Sequence, residues 1–326
     1  NLITQKINLI FVTHSIFQKK VEFKKLGLII IDEQHKFGVN QRKMLSDKGG
    51  INCDVLLMSA TPIPRTLTMT IYGDMDLSII REKPNERKDI KTYTKLESKI
   101  NDIIKFIKKE IKLGNQVFWV CPIINQSKKI NHTSAIAKFE FLTKIFPKKV
   151  ALLHGKTNQV EKDLILNNFL KRNYDILVST TIIEVGIDFP NANVIIIENA
   201  NKFGLAQLHQ LRGRVGRGDK QATCILLFKE DSLSRNAIKR IKILKESDDG
   251  FWIAEEDLKL RGYGDLIGFQ QSGLKNFKFA DPFLHKDLFE LAEKYILNLD
   301  NKLNQKEYQF LLKLFDKAEI INVDEI

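Results

Sequence analysis

Two adjacent carboxylates, Asp32 and Glu33, directly follow the apolar run 28–31. A short run of this kind predicts a buried strand, and groups just after a strand lie at the carboxyl edge of a parallel sheet, where α/β proteins bind ligands. In a nucleotide hydrolase the first carboxylate would hold Mg²⁺ through water, and the second would orient or deprotonate the attacking water. A solvated turn after a strand is the alternative interpretation of an isolated acid pair.

Hydroxyl side chains follow the next strand candidate. Ser59 and Thr61 come after the apolar run 55–58, one strand beyond the acid pair. At that position they would hydrogen-bond to the acids and relay the state of a bound nucleotide to the rest of the fold. Ser and Thr before a proline also start turns or cap helices, so the prediction depends on their position in the order of strands.

A further set of polar residues follows the apolar run 176–178. Thr180 and Thr181 offer hydroxyls and backbone amides suited to nucleic-acid phosphates. Gly186 and Asp188 come shortly after them, and Asp188 would meet the ribose of a nucleotide. Threonines after a strand also act as helix caps, which is the alternative here.

The strongest chemical signal is the segment QLHQLRGRVGRG at 207–218. Its arginines, Arg212, Arg214 and Arg217, are separated by small residues, which predicts that their guanidinium groups converge. Guanidinium groups match phosphate geometry, and one supplied across a domain cleft stabilises charge on a transferring phosphoryl group. We therefore expect Arg214 and Arg217 to act on nucleotide phosphates. A solvated arginine cluster on a nucleic-acid backbone is the alternative.

These groups require a scaffold of alternating strands and helices. The strand candidates are apolar, β-branched runs at Leu9–Thr13, Leu28–Asp32, Val55–Ser59, Val117–Val120, Val150–Leu153, Ile176–Val178, Val194–Ile197 and Cys224–Phe228. Their alternation with amphipathic segments predicts a parallel α/β fold, and their uniform apolarity predicts helices on both faces. Arg81–Lys95 is interpreted as a connector between two domains. A Gly-rich stretch, Arg261–Gly273, and a helical tail, Lys286–Lys317, follow Ser247.

Composition narrows the class of protein. The 326 residues suffice for about two domains, and 52 Lys and Arg against 40 Asp and Glu favour a polyanionic partner, although the abundance of Lys would also follow from an AT-rich genome. Cys53, Cys121 and Cys224 are scattered singly, so neither a disulfide framework nor a zinc site is indicated, and a reducing, cytosolic setting fits. No apolar run approaches the roughly 20 residues of a membrane span.

Taken in order, these blocks resemble the superfamily-two helicases, which carry an acid pair in a first RecA-like domain and a Q-x-x-G-R-x-x-R pattern in a second. Gln210, Gly213, Arg214 and Arg217 fill that pattern. The chain is similar to the RecG branched-DNA helicases over nearly its whole length, in the stretches IIIDEQHKFGVNQR, SATPIPRTLTMTIYGDMD, FWVCPII, STTIIEVGIDFPNANVIIIENA, FGLAQLHQLRGRVGRGD and DGFWIAEEDLKLRGYGDLIGFQQSG. Transcription-repair coupling factors share several features, but Gln34 and WVCP favour RecG.

The resemblance implies tandem RecA-like parallel-sheet α/β domains, the first truncated at its N-terminal side, with a helical C-terminal extension. The expected boundaries are 1–90 and 91–245 for the two RecA-like domains and 246–326 for a translocation element and tail. The implied activity is ATP-driven, Mg²⁺-dependent remodelling of branched DNA in repair and recombination. The implied protein is a monomer in the bacterial cytosol, bound to DNA of the nucleoid.

The resemblance also implies a role for each matching residue. The residues expected to act in catalysis are Asp32, which would also hold Mg²⁺, Glu33, Arg214 and Arg217. Those expected to contact the nucleotide further are Gly186, Asp188 and Gln210. Those expected to couple nucleotide state to movement are Ser59, Thr61, Gln210, Arg261 and Gln271. Those expected to contact DNA are Thr13, His14, Thr180 and Thr181. The alternative for Gly262, Gly264 and Gly268, which follow Arg261, is that they only permit tight turns.

One expected motif is absent from these residues. A helicase motor needs a GxxxxGK loop followed by Ser or Thr to cradle the phosphates, and the chain has only Gly155-Lys156-Thr157, where Val150 stands in place of the first glycine. We interpret that triplet as a decoy. We expect the phosphate loop and a junction-gripping wedge domain to lie in a missing half, either lost from a gene fragment or supplied by a separate polypeptide. A DNA-binding remnant without ATPase activity is the rival interpretation.

Overall fold

The computed structural model describes residues 8–13, 21–33, 48–49, 53–59, 76, 78–80, 82, 88–122, 128–180, 187–229, 233–267, 285–296 and 310. The chain divides into two compact units, one formed by 1–63 with 79–272 and the other by 64–78 with 273–326. The domain boundaries expected from the sequence stay a prediction. Among the described residues, no helix combines the length and the apolar character that crossing a membrane requires.

Within the described residues, the first sheet has two parallel strands, β1 (Leu28–Ile31) and β2 (Asp54–Leu57). Both were expected from their apolar runs. Side chains alternate between the faces of a strand, and in β1 only Ile29 and Ile31 are buried, whereas Ile30 is 56% exposed. Among the described residues, no helix covers the face of this sheet that carries Ile30, so the expectation of helices on both faces stays a prediction for this sheet.

The second sheet has six strands in the order β3-β8-β7-β4-β6-β5, and every neighbouring pair is parallel. Its strands are β3 (Lys91–Leu96), β4 (Gln116–Val120), β5 (Val150–Leu153), β6 (Ile176–Ser179), β7 (Ala192–Ile197) and β8 (Thr223–Phe228). Every residue of β4, β6 and β7 is buried. The predicted parallel α/β fold is confirmed, and here helices do cover both faces.

The helices of this unit are α1 (Ile100–Lys112), α2 (Lys128–Ile145), α3 (Gln159–Leu170), α4 (Leu205–Arg212), α5 (Arg235–Glu246) and α6 (Gly250–Ile267). One face of the second sheet forms a core with α1 and α2, in which Trp119 packs near Ile107 and Leu142. The other face forms a core with α3, α4, α5 and α6, and Phe118 is part of that core. The side chains of Asn158 and Ser234 cap α3 and α5 by accepting backbone N–H groups.

In the other unit the described helix is α7 (Lys286–Ile296), which lies within the predicted helical tail. Leu288, Leu291 and Tyr295 on this helix are exposed. Their spacing of three and four residues places them on one side of the helix.

Two expectations about local structure are wrong, and the alternative of tight turns fails at two of its three glycines. Leu9–Thr13 is not a strand, and Phe11 within it is 90% exposed, because no strand among the described residues pairs with this run. The expected connector Arg81–Lys95 contains most of β3, an edge strand whose alternating residues KTYTKL leave one side polar. The Gly-rich stretch is helical as far as Ile267, so Gly262 and Gly264 are not in tight turns.

Candidate nucleotide and nucleic-acid site

The acid pair and Ser59 lie at the carboxyl edge of the first sheet, as the strand pattern predicts. Ile31 pairs with Leu57, and the backbone N–H of Met58 donates to the Ile31 carbonyl over 2.8 Å, so the pairing continues to the edge. Asp32 is exposed, whereas Glu33 and Ser59 are half-buried. The three polar residues therefore follow neighbouring strands at one edge of the sheet.

The backbone at the acid pair has an unusual conformation. Glu33 has a φ of 52°, in the left-handed region, and its N–H donates to Asp32 Oδ1 over 2.8 Å. A non-glycine residue in a sparsely populated backbone region costs about 1–3 kcal/mol, and such residues concentrate at functional sites. The carboxylate oxygens of the pair are hard ligands of the kind that Mg²⁺ prefers. The donor set therefore fits the expected Mg²⁺.

Arg212, the first arginine of the motif, is a structural residue. Its side chain is 3% exposed, lies 2.8 Å from Asp248 Oδ1, and donates to the Leu244 and Ser247 carbonyls over 2.5 and 2.9 Å. Burial lowers the pKa of Arg212, while Asp248 acts in the opposite direction. The predicted convergence of three arginines is therefore wrong, because the helical spacing of α4 places Arg212 on the buried face together with Leu208 and Leu211.

Asp248 connects three segments. One carboxylate oxygen pairs with Arg212 at the end of α4, and the other accepts the N–H of Ile90 over 3.3 Å, just before β3. The next residue, Asp249, caps α6 by accepting the N–H groups of Phe251 and Trp252 over 2.8 and 3.4 Å. The arginine motif is thereby tied to the beginning of the helix that contains Arg261.

Two glycines place Arg217 beside Asp188. Gly216 has a φ of 72°, and a Cβ there would lie 2.8 Å from Ala222 Cβ. A Cβ on Gly218 would lie 2.8 Å from the Pro190 carbonyl oxygen, so only glycine permits this close approach. Arg217 Nε is 3.8 Å from Asp188 Oδ1, and both side chains are partly exposed. Two residues predicted to contact one nucleotide are thus brought together from separate segments.

The remaining predicted residues are divided between those that the structure describes and those outside the described part of the chain. Gln210 and Arg214 are half-buried at the end of α4 and in the turn after it. Thr13 is exposed, whereas Thr180 is 4% exposed and its hydroxyl has no hydrogen-bond partner among the described residues. The residues outside the described part of the chain are His14, Thr61, Thr181, Gly186 and Gln271, and for Arg261 only the helical backbone is described.

The Gly155-Lys156-Thr157 triplet forms a closed turn rather than a phosphate cradle. The Thr157 hydroxyl accepts the N–H of His154, and the N–H groups of Lys156 and Thr157 donate back to the His154 ring and carbonyl. A phosphate loop needs such amides to point at the ligand. The geometry supports the interpretation of the triplet as a decoy.

Asp248 was missed by sequence reasoning. It stands in a run of acids before a glycine, which resembles an ordinary helix cap, and no spacing links it to an arginine 36 residues earlier. In the described part of the chain, no group of three or more His, Cys, Asp and Glu side chains is arranged to hold a metal, and the three cysteines are free.

Three family models match successive parts of the chain. The sequence matches the DEAD/DEAH box helicase model over residues 1–70 and the helicase conserved C-terminal domain over 98–219. It matches ATP-dependent DNA helicase RecG, domain 3, C-terminal, over 247–325.

Curated relatives are similar along nearly the whole chain. The ATP-dependent DNA helicase RecG of Aquifex aeolicus is 48% identical over 96% of this chain and 41% of its own length. The Bacillus subtilis RecG is 44% identical over 98% of this chain and 47% of its own length. The chain thus spans less than half the length of these relatives.

Solved structures agree on the fold. A structure of RecG bound to a three-way DNA junction is 45% identical, with a TM-score of 0.64, and covers 85% of this chain and 35% of that one. The Saccharomyces cerevisiae Dbp5 bound to RNA and ADP BeF3 is 15% identical with a TM-score of 0.51, over 80% of this chain and 67% of that one, which shows the RecA-like fold alone. With the three family regions in one order and this identity along its length, the chain belongs to the RecG-like family of ATP-dependent DNA helicases.

Proposed function

We propose that this chain supplies the acid pair and the arginine motif of an ATP-driven motor that remodels branched DNA in repair and recombination. The observation that carries the proposal is the placement of Arg217, which two glycines hold 3.8 Å from Asp188 at a partly exposed position. A solvated arginine cluster would not require glycines that exclude any side chain. The similarity to a RecG bound to a three-way junction supports branched DNA as the substrate.

Each group would act on the nucleotide in a distinct way. When bound, Mg²⁺ would neutralise charge on the β and γ phosphates. Asp32 would hold that ion through water, and Glu33 would orient the attacking water. Arg214 and Arg217 would stabilise charge on the γ-phosphoryl group, an effect of about 10³–10⁵ in rate, or about 4–7 kcal/mol.

Further contacts would complete the nucleotide site. Asp188 would bind the ribose, while Gly186 and Gln210 would contact the nucleotide from the same domain. Asp188 now pairs with Arg217, so nucleotide binding would exchange this ion pair for contacts with ribose and phosphate. The pair is partly exposed, so breaking it costs little free energy.

Coupling to movement would run through the buried Arg212–Asp248 pair. It links α4, which precedes the catalytic arginines, to α6, which contains Arg261. A rigid link of this kind would transmit a displacement of the arginine motif to the translocation element. Ser59, Thr61, Gln210 and Gln271 are proposed to act in the same coupling.

DNA would contact Thr13 and His14 in the first domain and Thr180 and Thr181 in the second. The formal charge of +12 supports a polyanionic partner. Thr180 is buried and its N–H donates to the Leu153 carbonyl over 3.3 Å, so a contact through this residue requires it to become more exposed. A monomer in the bacterial cytosol, bound to the nucleoid, is the proposed state.

Hydrolysis requires a phosphate loop that these 326 residues do not contain. The loop must come from other residues, in the same polypeptide or in a separate N-terminal RecG segment. The second candidate function is a DNA-binding protein without ATPase activity, which the basic charge favours. DNA binding alone does not separate the two, because phosphate contacts give the same salt dependence in both.

The test is ATP-dependent strand displacement from a three-way DNA junction by the chain together with a segment that carries the phosphate loop. Arg217→Ala and Glu33→Gln should each abolish displacement and leave DNA binding in place. Arg235→Ala and Glu22→Gln, at exposed positions away from the motifs, are the matched controls and should retain it. Displacement that survives Arg217→Ala would contradict the proposed role of the arginine motif.

A further inference from the structure

A buried acid, Glu198, lies at the carboxyl end of β7 and has no role in the site described above. Its Oε2 accepts hydrogen bonds from Trp119 Nε1 over 3.0 Å and from the Cys121 thiol over 3.4 Å. Its Oε1 lies 3.1 Å from Lys138 Nζ, on α2. The Glu198 carboxylate thus connects the end of β7 to the end of β4 and to α2.

This carboxylate is largely shielded from water, with 11% of its side chain and 16% of that of Lys138 exposed. Trp119 is completely buried, Cys121 is 1% exposed and Glu198 is 9% exposed. Lys138 Nζ also lies 5.2 Å from the centre of the Trp119 ring and 5.4 Å from that of Phe141, so aromatic faces surround the cation. Burial, together with Glu198, raises the pKa of Cys121, which keeps the thiol protonated and able to donate.

Stability alone is a weak reason for such a cluster. Removing two charges from water costs free energy, and an apolar pair of similar volume often stabilises a fold as well or better. A buried ion pair does fix directions, because both carboxylate oxygens must meet their donors.

Glu198 begins the connection between β7 and the arginine helix α4. Asn199 follows in the left-handed region with a φ of 49°, then the 3₁₀ turn Ala200–Lys202 leads to Gly204, the N-cap of α4. On the opposite face, Arg240 of α5 donates to the Asn201 and Phe203 carbonyls over 3.3 and 2.7 Å. The connection is held at its start by Glu198 and further along by Arg240.

We propose that Glu198 is a positioning residue that sets where α4 begins and thereby where Arg214 and Arg217 lie. This inference rests on the proposed role of those arginines in ATP hydrolysis. A catalytic group displaced by about 1 Å loses about 10²-fold in rate, so a brace at the start of the helix affects turnover without touching the nucleotide.

Three variants separate positioning from general stability. Glu198→Gln and Lys138→Met each leave one buried charge without its partner and should lower the melting temperature. The double variant removes both charges, and the Gln amide oxygen still accepts from Trp119 Nε1, so the melting temperature should return although the tie between residue 198 and α2 is lost. The matched control is the same pair of changes at Glu246 and Lys242, an exposed pair on α5, which should change nothing.

The experiment measures DNA-stimulated ATP hydrolysis, with the phosphate-loop segment present, beside hydrogen exchange of the full chain. The double variant should keep a kcat at least about 10-fold below the parent, with an unchanged KM for ATP. Amides at 199–212 should exchange faster, whereas those of β5 should not. A kcat that recovers together with the melting temperature would overturn the proposal.

Hydrogen exchange also separates failure of this inference from failure of the proposed function. If the parent does not hydrolyse ATP even with the phosphate loop, the proposed function fails, and exchange at 199–212 alone decides whether Glu198 holds the connection. Unchanged exchange there in the double variant would overturn the positioning role, whatever the hydrolysis rates are.

Discussion

The two sheets use similar strands but differ in what covers them. Ile196 in β7 is completely buried between helices, whereas Ile30 in β1 is 56% exposed. The runs LIII and VIII are nearly identical in sequence, so the strand itself does not decide the burial. In the second sheet, the Arg212–Asp248 ion pair and close glycine contacts hold the arginine motif, while the acids of the first sheet follow one of its two described strands. Packing on both faces thus holds the arginine motif of the second sheet in place, whereas the acid pair follows a strand that is exposed on one face.

The largest test of this comparison replaces one isoleucine in each sheet. Ile196→Ala should lower the free energy of unfolding by about 2–5 kcal/mol, because it leaves a cavity in a closed core. Ile30→Ala should lower it by less than about 1 kcal/mol, because its side chain is mostly in water already. Urea denaturation followed by the fluorescence of Trp119 and Trp252 reports on the second sheet, and hydrogen exchange of 28–31 reports on the first. Similar losses at both positions would contradict the difference in cover.

A second variant, Arg212→Ala, should destabilise the second sheet by about 2–3 kcal/mol, a value reduced from that of a fully buried pair because Asp248 is partly exposed. The loss arises because Asp248 and two carbonyls lose their donor. Arg235→Ala, at an exposed position, should change the free energy by less than about 0.5 kcal/mol. A loss as small as that of the control would show that Arg212 is not a structural residue.

The third test uses two glycines of one motif. Gly216→Ala should cost about 1–3 kcal/mol, because its φ is 72° and the new Cβ would meet Ala222. Gly213→Ala should be close to neutral, because its φ is −67° and its nearest contact for a Cβ is at 3.5 Å. The ratio of the two effects on thermal unfolding checks the geometry beside Arg217. Equal effects would contradict it.

The smallest expected effect concerns the exposed face of the first sheet. Leu28→Lys should leave the free energy of unfolding within about 0.5 kcal/mol of the parent, since Leu28 is 54% exposed. It should also reduce self-association, because exposed apolar strands favour contacts between chains. Analytical ultracentrifugation of the two proteins measures this directly. Increased self-association in the variant would contradict the assignment of an exposed face.

The sequence predicted the parallel α/β fold and the residues at the strand ends because both depend on local runs. It missed β3, whose polar alternation hides an edge strand, and it placed Arg212 in the wrong role. The role of Arg212 depends on Asp248, 36 residues later, which only the packing of α4 against the start of α6 brings close. Glu198 was missed for the same reason, since Trp119 and Lys138 reach it from another strand and another helix.

The most direct test of the account is DNA-stimulated ATP hydrolysis by the 326 residues alone, with an added phosphate-loop segment, and with that segment and Arg217→Ala. The account predicts a flat background alone, DNA-stimulated hydrolysis with the segment, and loss of about 10³-fold or more in the variant. Equal hydrolysis with and without the segment would contradict the claim that these residues supply only part of the nucleotide site.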